Sequence, residues 1–146
     1  MNFSKTTEYA LQIMSFIAAE ENKFYSANEI YEALQIPFRY LRKQMTILSK
    51  TGLIESKQGK YGGYRLSKKT NEISLLDIVN VTEVTSLYNI CFFAYQNCSL
   101  KAKCRMHDKW VSVRNSVIEI LKTTSLKDIK DPYTHQFISN NNLLFT

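Results

Sequence analysis

The chain has 146 residues, 45% of them hydrophobic, with only four glycines and two prolines. This composition suits one packed domain and excludes collagen-like and low-complexity chains. The formal net charge of +6 indicates an anionic partner, either nucleic acid or a membrane surface. The first residues lack the apolar stretch of a signal peptide, and no run reaches the ~18 apolar residues of a spanning helix. We therefore expect a cytoplasmic protein that does not bind or span a membrane.

The positive charge is concentrated in one part of the chain. Residues 39–69 contain nine basic residues and one acidic residue, Glu55, so this window carries +8 and leaves −2 for the rest of the chain. A phosphate backbone binds a cluster of cations that lie on one face. The local excess therefore favours DNA as the partner more strongly than the total charge does.

Helical spacing and capping residues predict two helices before this window. The first is expected from Ser4 to about Glu20, with a buried stripe formed by Ala10, Met14, Ile17 and Ala18. Ser26 and Glu29 form a capping box, which predicts a second helix that ends near Leu34.

A third helix is predicted from Pro37 to about Thr51, with Gly52 as a left-handed residue at its end. Its apolar face consists of Leu41, Gln44, Met45 and Leu48. Its opposite face consists of Arg39, Arg42, Lys43, Thr46 and Lys50. Two helices joined by a short turn, the second of them basic, are typical of the helix-turn-helix motif. An ordinary amphipathic surface helix is the alternative if the basic face is taken alone.

A basic hairpin is predicted next, with strands at 53–57 and 64–67 around a turn at 58–63. The turn holds three of the four glycines, and we expect Gly62 and Gly63 to adopt backbone angles that a side chain resists. Lys57, Lys60 and Arg65 surround it. This pattern indicates a wing that lies along a DNA groove, and a flexible surface hairpin is the alternative.

A fourth helix is expected from about Ser74 to Glu83, and a long fifth helix from His107 to about Thr123. The fifth helix has an apolar stripe that we expect to form a homodimer interface, made of Trp110, Val113, Val117 and Leu121. Packing of this helix against its own domain is the alternative. The predicted fold class is mainly α: a winged helix-turn-helix with a small two-stranded wing and a long C-terminal dimerisation helix.

This pattern divides the chain into four parts. Residues 1–84 form the winged helix-turn-helix DNA-binding domain, and residues 85–106 form a cysteine-containing loop. Residues 107–130 form the dimerisation helix and a short following helix, and residues 131–146 form a flexible tail. The chain contains no nucleophile–base pair, phosphate loop or catalytic carboxylate pair, so we do not expect an enzyme.

The loop contains all three cysteines, Cys91, Cys98 and Cys104, and His107 follows three residues after the last. Three thiols and an imidazole can hold zinc or an iron–sulfur cluster. The close CxxC pairs of structural zinc sites are absent, and wide gaps in a loop favour a polynuclear cluster. Nearby cations, which include Lys101, Lys103 and Arg105, favour thiolates. The alternatives are three unligated cysteines or a thiol–disulfide switch.

Three segments resemble the Rrf2 family of bacterial winged-helix regulators. Residues 3–11 are similar to the N-terminal helix of that family, 36–41 to the start of its recognition helix, and 59–66 to its wing signature. The resemblance covers about 1–129 and implies a homodimeric transcriptional regulator that binds a double-stranded, palindromic DNA operator. The residues expected to contact DNA are Ser26, Arg39, Tyr40, Arg42, Lys43, Thr46, Lys57, Lys60, Tyr61, Gly62, Gly63 and Arg65.

The cysteine trio resembles the IscR-like and NsrR-like, cluster-binding branch of the family and is absent from CymR-like members. The resemblance implies a 2Fe–2S or 4Fe–4S cluster that senses iron–sulfur status, nitric oxide or redox stress. His107 is the favoured fourth ligand, and Glu8 of the partner subunit is the alternative. Two other interpretations keep the fold: a regulator with a thiol–disulfide switch and no cluster, and a winged-helix protein-interaction module.

Overall fold

The structure is a computed structural model that describes residues 3–83, 87–93, 95 and 104–130. Cys98, Lys101, Lys103 and the predicted tail at 131–146 lie outside the described residues. The elements in chain order are α1 (Lys5–Ile17), α2 (Ala27–Leu34), α3 (Phe38–Lys50), β1 (Ile54–Lys57), β2 (Gly63–Leu66), α4 (Leu75–Thr82) and α5 (His107–Thr123). The strands pair in one antiparallel sheet, in which Ile54 lies opposite Leu66. The mainly helical fold with a two-stranded wing and a long last helix confirms the predicted fold class.

Serine side chains start two of the helices through reciprocal hydrogen bonds. The Ser26 hydroxyl accepts the backbone N–H of Glu29 at 3.1 Å, and the Ser26 N–H donates to the Glu29 carboxylate at 2.7 Å. Ser74 and Asp77 make the same pair of bonds at the start of α4. These bonds satisfy N–H groups that the first helical turn leaves without partners. The predicted capping box at Ser26 is therefore confirmed.

Helix α3 begins one residue later than predicted and ends as predicted. Pro37 precedes the helix as its cap, with an extended ψ of 132°. Gly52 has a φ of +76°. Its N–H donates to the Ser49 carbonyl at 3.1 Å, while the Leu53 N–H donates to the Leu48 carbonyl at 3.1 Å. These two bonds satisfy the last carbonyls of the helix and require the left-handed conformation that glycine adopts readily.

Helix α1 lies at the centre of the core, where it packs against α2, α3, α4 and β2. The predicted stripe of Ala10, Met14, Ile17 and Ala18 is buried, and so is Ile13, which the predicted stripe did not include. A second, smaller cluster joins α4 to α5 through Leu76, Val79, Leu87, Ile118 and Leu121. Helix α5 is therefore attached to the winged domain by apolar contacts within one chain.

The chain after α5 returns to the segment before α4. The Leu126 N–H donates to the Ile73 carbonyl at 2.9 Å, and the Lys127 N–H donates to the Thr70 carbonyl at 3.2 Å. Residues 126–129 therefore form turns, and the short helix predicted here is wrong. The physical reason is that these N–H groups bond to a distant segment and not to carbonyls one helical turn earlier.

The buried face of α3 contains one polar side chain, Gln44, which is completely buried. Neither its amide nitrogen nor its amide oxygen has a hydrogen-bond partner among the described residues. A buried polar group without a partner costs about 1–3 kcal/mol. Gln44 therefore lowers the stability of the helix that carries the basic face.

We predict that Gln44→Met stabilises the protein, because methionine has a similar length and shape and no amide to desolvate. The free energy of unfolding should rise by about 1–2 kcal/mol, measured by urea denaturation followed by circular dichroism. Gln58→Met, at an exposed position in the wing turn, is the control and should change stability little. A less stable Gln44→Met protein would contradict the prediction.

Candidate nucleic-acid interface and cysteine segment

Helix α3 turns its basic face to solvent. The exposed side chains are Arg39, Tyr40, Arg42, Lys43, Thr46 and Lys50. The opposite face is buried and consists of Leu41, Gln44, Met45 and Leu48, as the sequence predicts. Within the described part of the chain, no ion pair involves the cations of this face. Cations without acidic partners on one helix face are available to phosphates and base edges.

Two other predicted contact residues on α3 have partners of their own. The Tyr40 ring is half exposed and lies 5.9 Å from the Tyr9 ring of α1. The Thr46 hydroxyl donates to the Arg42 carbonyl at 3.0 Å. Tyr40 therefore links the exposed edge of α3 to the central helix, and its phenol remains at the surface.

A single-residue bridge fixes the wing to the segment before α2. The Tyr25 N–H donates to the Tyr64 carbonyl and the Tyr64 N–H donates to the Tyr25 carbonyl, both at 2.8 Å. The next residue, Ser26, caps α2, so its hydroxyl already accepts one hydrogen bond within the chain. The wing and the helix-turn-helix therefore meet at Tyr25 and Ser26.

The two wing glycines are needed for different reasons. Gly63 has a φ of +143°, and a Cβ there would lie 2.4 Å from the Tyr25 carbonyl oxygen. A Cβ on Gly62 would lie 2.0 Å from the Lys57 carbonyl oxygen, although its φ is outside the left-handed region. The expected unusual angle is therefore confirmed at Gly63 and wrong at Gly62, where the close approach of the backbone is the constraint.

The wing cations divide into two kinds. The Arg65 Nε donates to the carboxylate of Glu55, which lies opposite it on β1, and its guanidinium lies 4.4 Å from the centre of the Phe24 ring. Lys57 and Lys60 are exposed and lie 5.7 and 5.6 Å from the Phe24 and Tyr61 rings. Arg65 is thus engaged in holding the wing, while the two lysines keep their charge at the surface.

The cysteine segment is described in part. Cys91 and Cys104 are free, half-buried thiols, and Cys98 lies outside the described residues. The Cys104 carbonyl accepts the N–H of His107, the first residue of α5, at 3.0 Å. Among the described residues of one chain, no three His, Cys, Asp or Glu side chains converge on a metal-sized site. The predicted ligand set is therefore not assembled from Cys91, Cys104 and His107 alone.

The alternative fourth ligand, Glu8, lies on the surface of α1. Its carboxylate pairs with the ammonium of Lys5 at 2.5 Å, and 38% of its side chain is exposed. The hydrogen bond and charge of Glu8 raise the pKa of Lys5. Glu8 is therefore accessible to a second subunit, which would have to displace Lys5 to use it.

The apolar stripe of α5 is split between the chain's own core and its surface. Leu121 is buried in the cluster that joins α5 to α4. Trp110 and Val117 are half-buried, and Trp110 packs against Phe92 with ring centres 5.6 Å apart. Val113 and Ile120 are 53% and 62% exposed. Of the predicted interface residues, only Val113 is therefore fully at the surface of one chain.

The sequence matches the Rrf2 family, described as iron-dependent transcriptional regulators, over residues 3–132. The chain belongs to this family. It is 31% identical over 131 residues to the helix-turn-helix-type transcriptional regulator NsrR of Geobacillus kaustophilus, a match that covers 88% of this chain and 89% of the relative. The protein is thus a transcriptional regulator of the Rrf2 family, and its relatives are regulators and not enzymes.

Solved structures of other regulators have the same fold as this Rrf2 protein. CymR, the global cysteine regulator of B. subtilis, is similar with a TM-score of 0.74 and 25% identity over 89% of this chain and 96% of that one. IscR of T. potens is similar with a TM-score of 0.70 and 25% identity over 88% of this chain and 85% of that one. Among the residues described in this Rrf2 protein, no helix is both long and apolar enough to cross a membrane.

We predict that Gly63→Ala weakens both the fold and DNA binding, because the methyl group would overlap the Tyr25 backbone. The free energy of unfolding should fall by about 1–3 kcal/mol more than in Gly59→Ala. Gly59 is the matched control, since it also has a positive φ but no atom within 4 Å of the place where a methyl group would lie. Urea denaturation measures the first effect. Fluorescence anisotropy on a duplex that the wild-type protein selects from random DNA measures the second. Equal effects of the two substitutions would contradict the role of the bridge.

Proposed function

We propose that this Rrf2-family regulator binds a palindromic operator as a homodimer, with α3 in the major groove and the wing along the adjacent backbone or minor groove. The observation that carries the proposal is the exposed basic face of α3, free of ion pairs among the described residues and backed by the core. The proposed division assigns DNA binding to residues 1–84, sensing to 85–106 and dimerisation to 107–130.

The exposed cations have two kinds of proposed contact. Arg39 and Arg42 lie near the start of α3, the part of a recognition helix that reaches base edges. Their planar guanidinium groups suit the paired acceptors of guanine. Lys43, Lys57 and Lys60 suit phosphates, which a flexible ammonium group binds as a point charge. Ser26, Thr46, Tyr40 and Tyr61 complete the proposed polar surface.

We predict that Arg39→Ala or Arg42→Ala weakens binding to the selected duplex by about 5- to 150-fold at fixed salt. Lys43→Ala should instead weaken binding to selected and unrelated duplexes equally, and should reduce the slope of log affinity against log salt by about 1. Fluorescence anisotropy at several salt concentrations measures both effects. Lys109→Ala, which removes one exposed charge from α5, is the control. Wild-type affinity in all three α3 variants would contradict the proposed interface.

The proposed dimer uses the exposed part of α5. Val113 and Ile120 are large apolar side chains that one chain leaves at the surface, and Val117 lies half-buried between them. Leu121 supports this surface from inside the chain. Two winged domains held by paired α5 helices would place two α3 helices in successive turns of the major groove, which requires two operator half-sites.

We predict that Val113→Glu produces a monomer, because the dimer would bury a carboxylate without a partner. Ser112→Glu is the matched control, since it places the same charge one residue away on a different face of α5. Sedimentation velocity measures the oligomeric state, and circular dichroism checks that the helices remain. A Val113→Glu protein that sediments as the wild-type dimer would place the interface elsewhere.

For sensing, we propose a 2Fe–2S or 4Fe–4S cluster held by Cys91, Cys98 and Cys104, with His107 or Glu8 of the partner subunit as the fourth ligand. When bound, the cluster would supply iron that responds to iron–sulfur status, nitric oxide or oxidants. The half-buried thiols of Cys91 and Cys104 support the proposal. So does the buried Nε–H of Arg114, which has no partner among the described residues and would suit an anionic acceptor.

A second candidate is a thiol–disulfide switch among the same cysteines. The observation that favours it is that Cys91, Cys104 and His107 do not converge on one site within a chain. A disulfide needs only two thiols, so it makes fewer demands on the geometry of the loop than a ligand set of four. Both candidates place the sensor on the segment that leads into α5.

We expect anaerobically purified protein to contain iron and acid-labile sulfide and to absorb visible light. Each single change, Cys91→Ser, Cys98→Ser or Cys104→Ser, should remove the cluster or destabilise it and should alter DNA affinity. His107→Ala and Glu8→Ala form the matched pair, and the one that changes the visible spectrum identifies the fourth ligand. Zinc in the anaerobic protein, or no metal at all, would contradict the cluster and favour the thiol switch.

A further inference from the structure

Two side chains of α5 donate hydrogen bonds to one carbonyl, that of Ile90, which immediately precedes Cys91. The Trp110 indole Nε1–H donates at 2.8 Å and the Arg114 Nη1 donates at 3.3 Å. These donors are four residues apart, so consecutive turns of the helix present them on the same face. Helix α5 therefore holds the carbonyl directly before Cys91 with two hydrogen bonds.

The residue that follows Cys91 is also held by α5. The Phe92 ring packs edge-on against Trp110, with an angle of 71° between the ring planes. Leu87, at the start of this segment, is buried in the cluster of α4 and α5. Cys91 is thus flanked on both sides by contacts with α5, although Cys91 itself lies outside the helices and strands.

The same helix also fixes the far end of the cysteine segment. The Cys104 carbonyl accepts the His107 N–H at 3.0 Å, and the Met106 carbonyl accepts the Trp110 backbone N–H at 2.8 Å. The first turns of α5 therefore provide a common frame for Cys91 and Cys104. Trp110 takes part at both ends, once through its side chain and once through its backbone.

We propose that Trp110 and Arg114 are positioning residues for Cys91, which fix its thiol relative to Cys104. The inference rests on the proposed sensing role of the cysteines and deepens it. It holds whether the partner of Cys91 is a metal cluster or another thiol. It also gives Trp110 a role within its own chain, beside the dimer contact that the sequence predicts.

The test uses Trp110→Phe, which keeps an aromatic ring against Phe92 and removes the N–H donor, and Arg114→Leu, which removes the second donor. The reduced, metal-free full chain is treated with iodoacetamide, and peptide mass spectrometry follows the alkylation of each cysteine over time. Loss of either bond should raise the alkylation rate of Cys91 several-fold, up to about tenfold. The rate at Cys104 should stay within about twofold of the wild type. Lys109→Gln, an exposed neighbour on α5, is the control and should change neither rate.

An unchanged Cys91 rate in both variants would overturn the proposal. A parallel increase at Cys91 and Cys104 would also overturn it, because it would show general loosening of α5. Circular dichroism checks that the variants remain folded, and Arg114→Met, which keeps an unbranched side chain and has no N–H donor, replaces Arg114→Leu if that variant unfolds. The assay contains no metal, so its result is independent of whether the cluster proposal holds. A protein without iron and sulfide would therefore contradict the cluster and leave the positioning role intact. An unchanged alkylation rate would contradict the positioning role and leave the cluster proposal intact.

Discussion

Two backbone hydrogen bonds between Tyr25 and Tyr64 determine the geometry of the proposed DNA surface. They attach β2 to Tyr25, and the next residue, Ser26, caps α2. Helix α2 packs on α3, so the angle between the wing and α3 depends on this bridge. Because the bridge is made by the backbone and Gly63 allows its close approach, the surface side chains on either side can change without moving the frame.

One of the cations that the sequence assigns to DNA, Arg65, instead makes contacts within the protein. Arg65 pairs with Glu55 and covers Phe24, so it holds the wing against the segment that carries the bridge. The α3 cations have no acidic partner among the described residues, and their charge is free to bind phosphate. The balance of +8 over residues 39–69 already includes the neutralisation of one cation by Glu55, so the other eight cations of this window carry the whole excess. Exposed cation–ring contacts, as at Lys60, leave the charge in place.

Features that depend on nearby residues could be predicted from the sequence, and features that depend on distant contacts could not. Serine caps, helical spacing and the glycine at the end of α3 act within one or two turns, so the helix boundaries were predicted to within a few residues. The close approach of Gly63 to the Tyr25 backbone joins the wing to a segment far back in the chain, and the role of Trp110 comes from the Ile90 carbonyl. Periodicity places Trp110 on an apolar face but does not say which segment covers that face.

Helix α5 connects the two ends of the proposed regulator. Its first turns hold the cysteine segment, and its last turns pack on α4. Helix α4 in turn meets α1 through the buried hydrogen bond between the Thr7 and Thr82 hydroxyls, at 2.9 Å.

Such a series of contacts does not by itself make a switch. Coupling also requires that the protein have two conformations, and that the cysteine segment and the DNA surface each favour one of them. In the proposed dimer the exposed Val113 and Ile120 contact a second subunit, so the two conformations would differ in how paired α5 helices pack. A change at Cys91 would then act on DNA affinity by altering the separation of the two α3 helices, while the winged domain itself stays rigid.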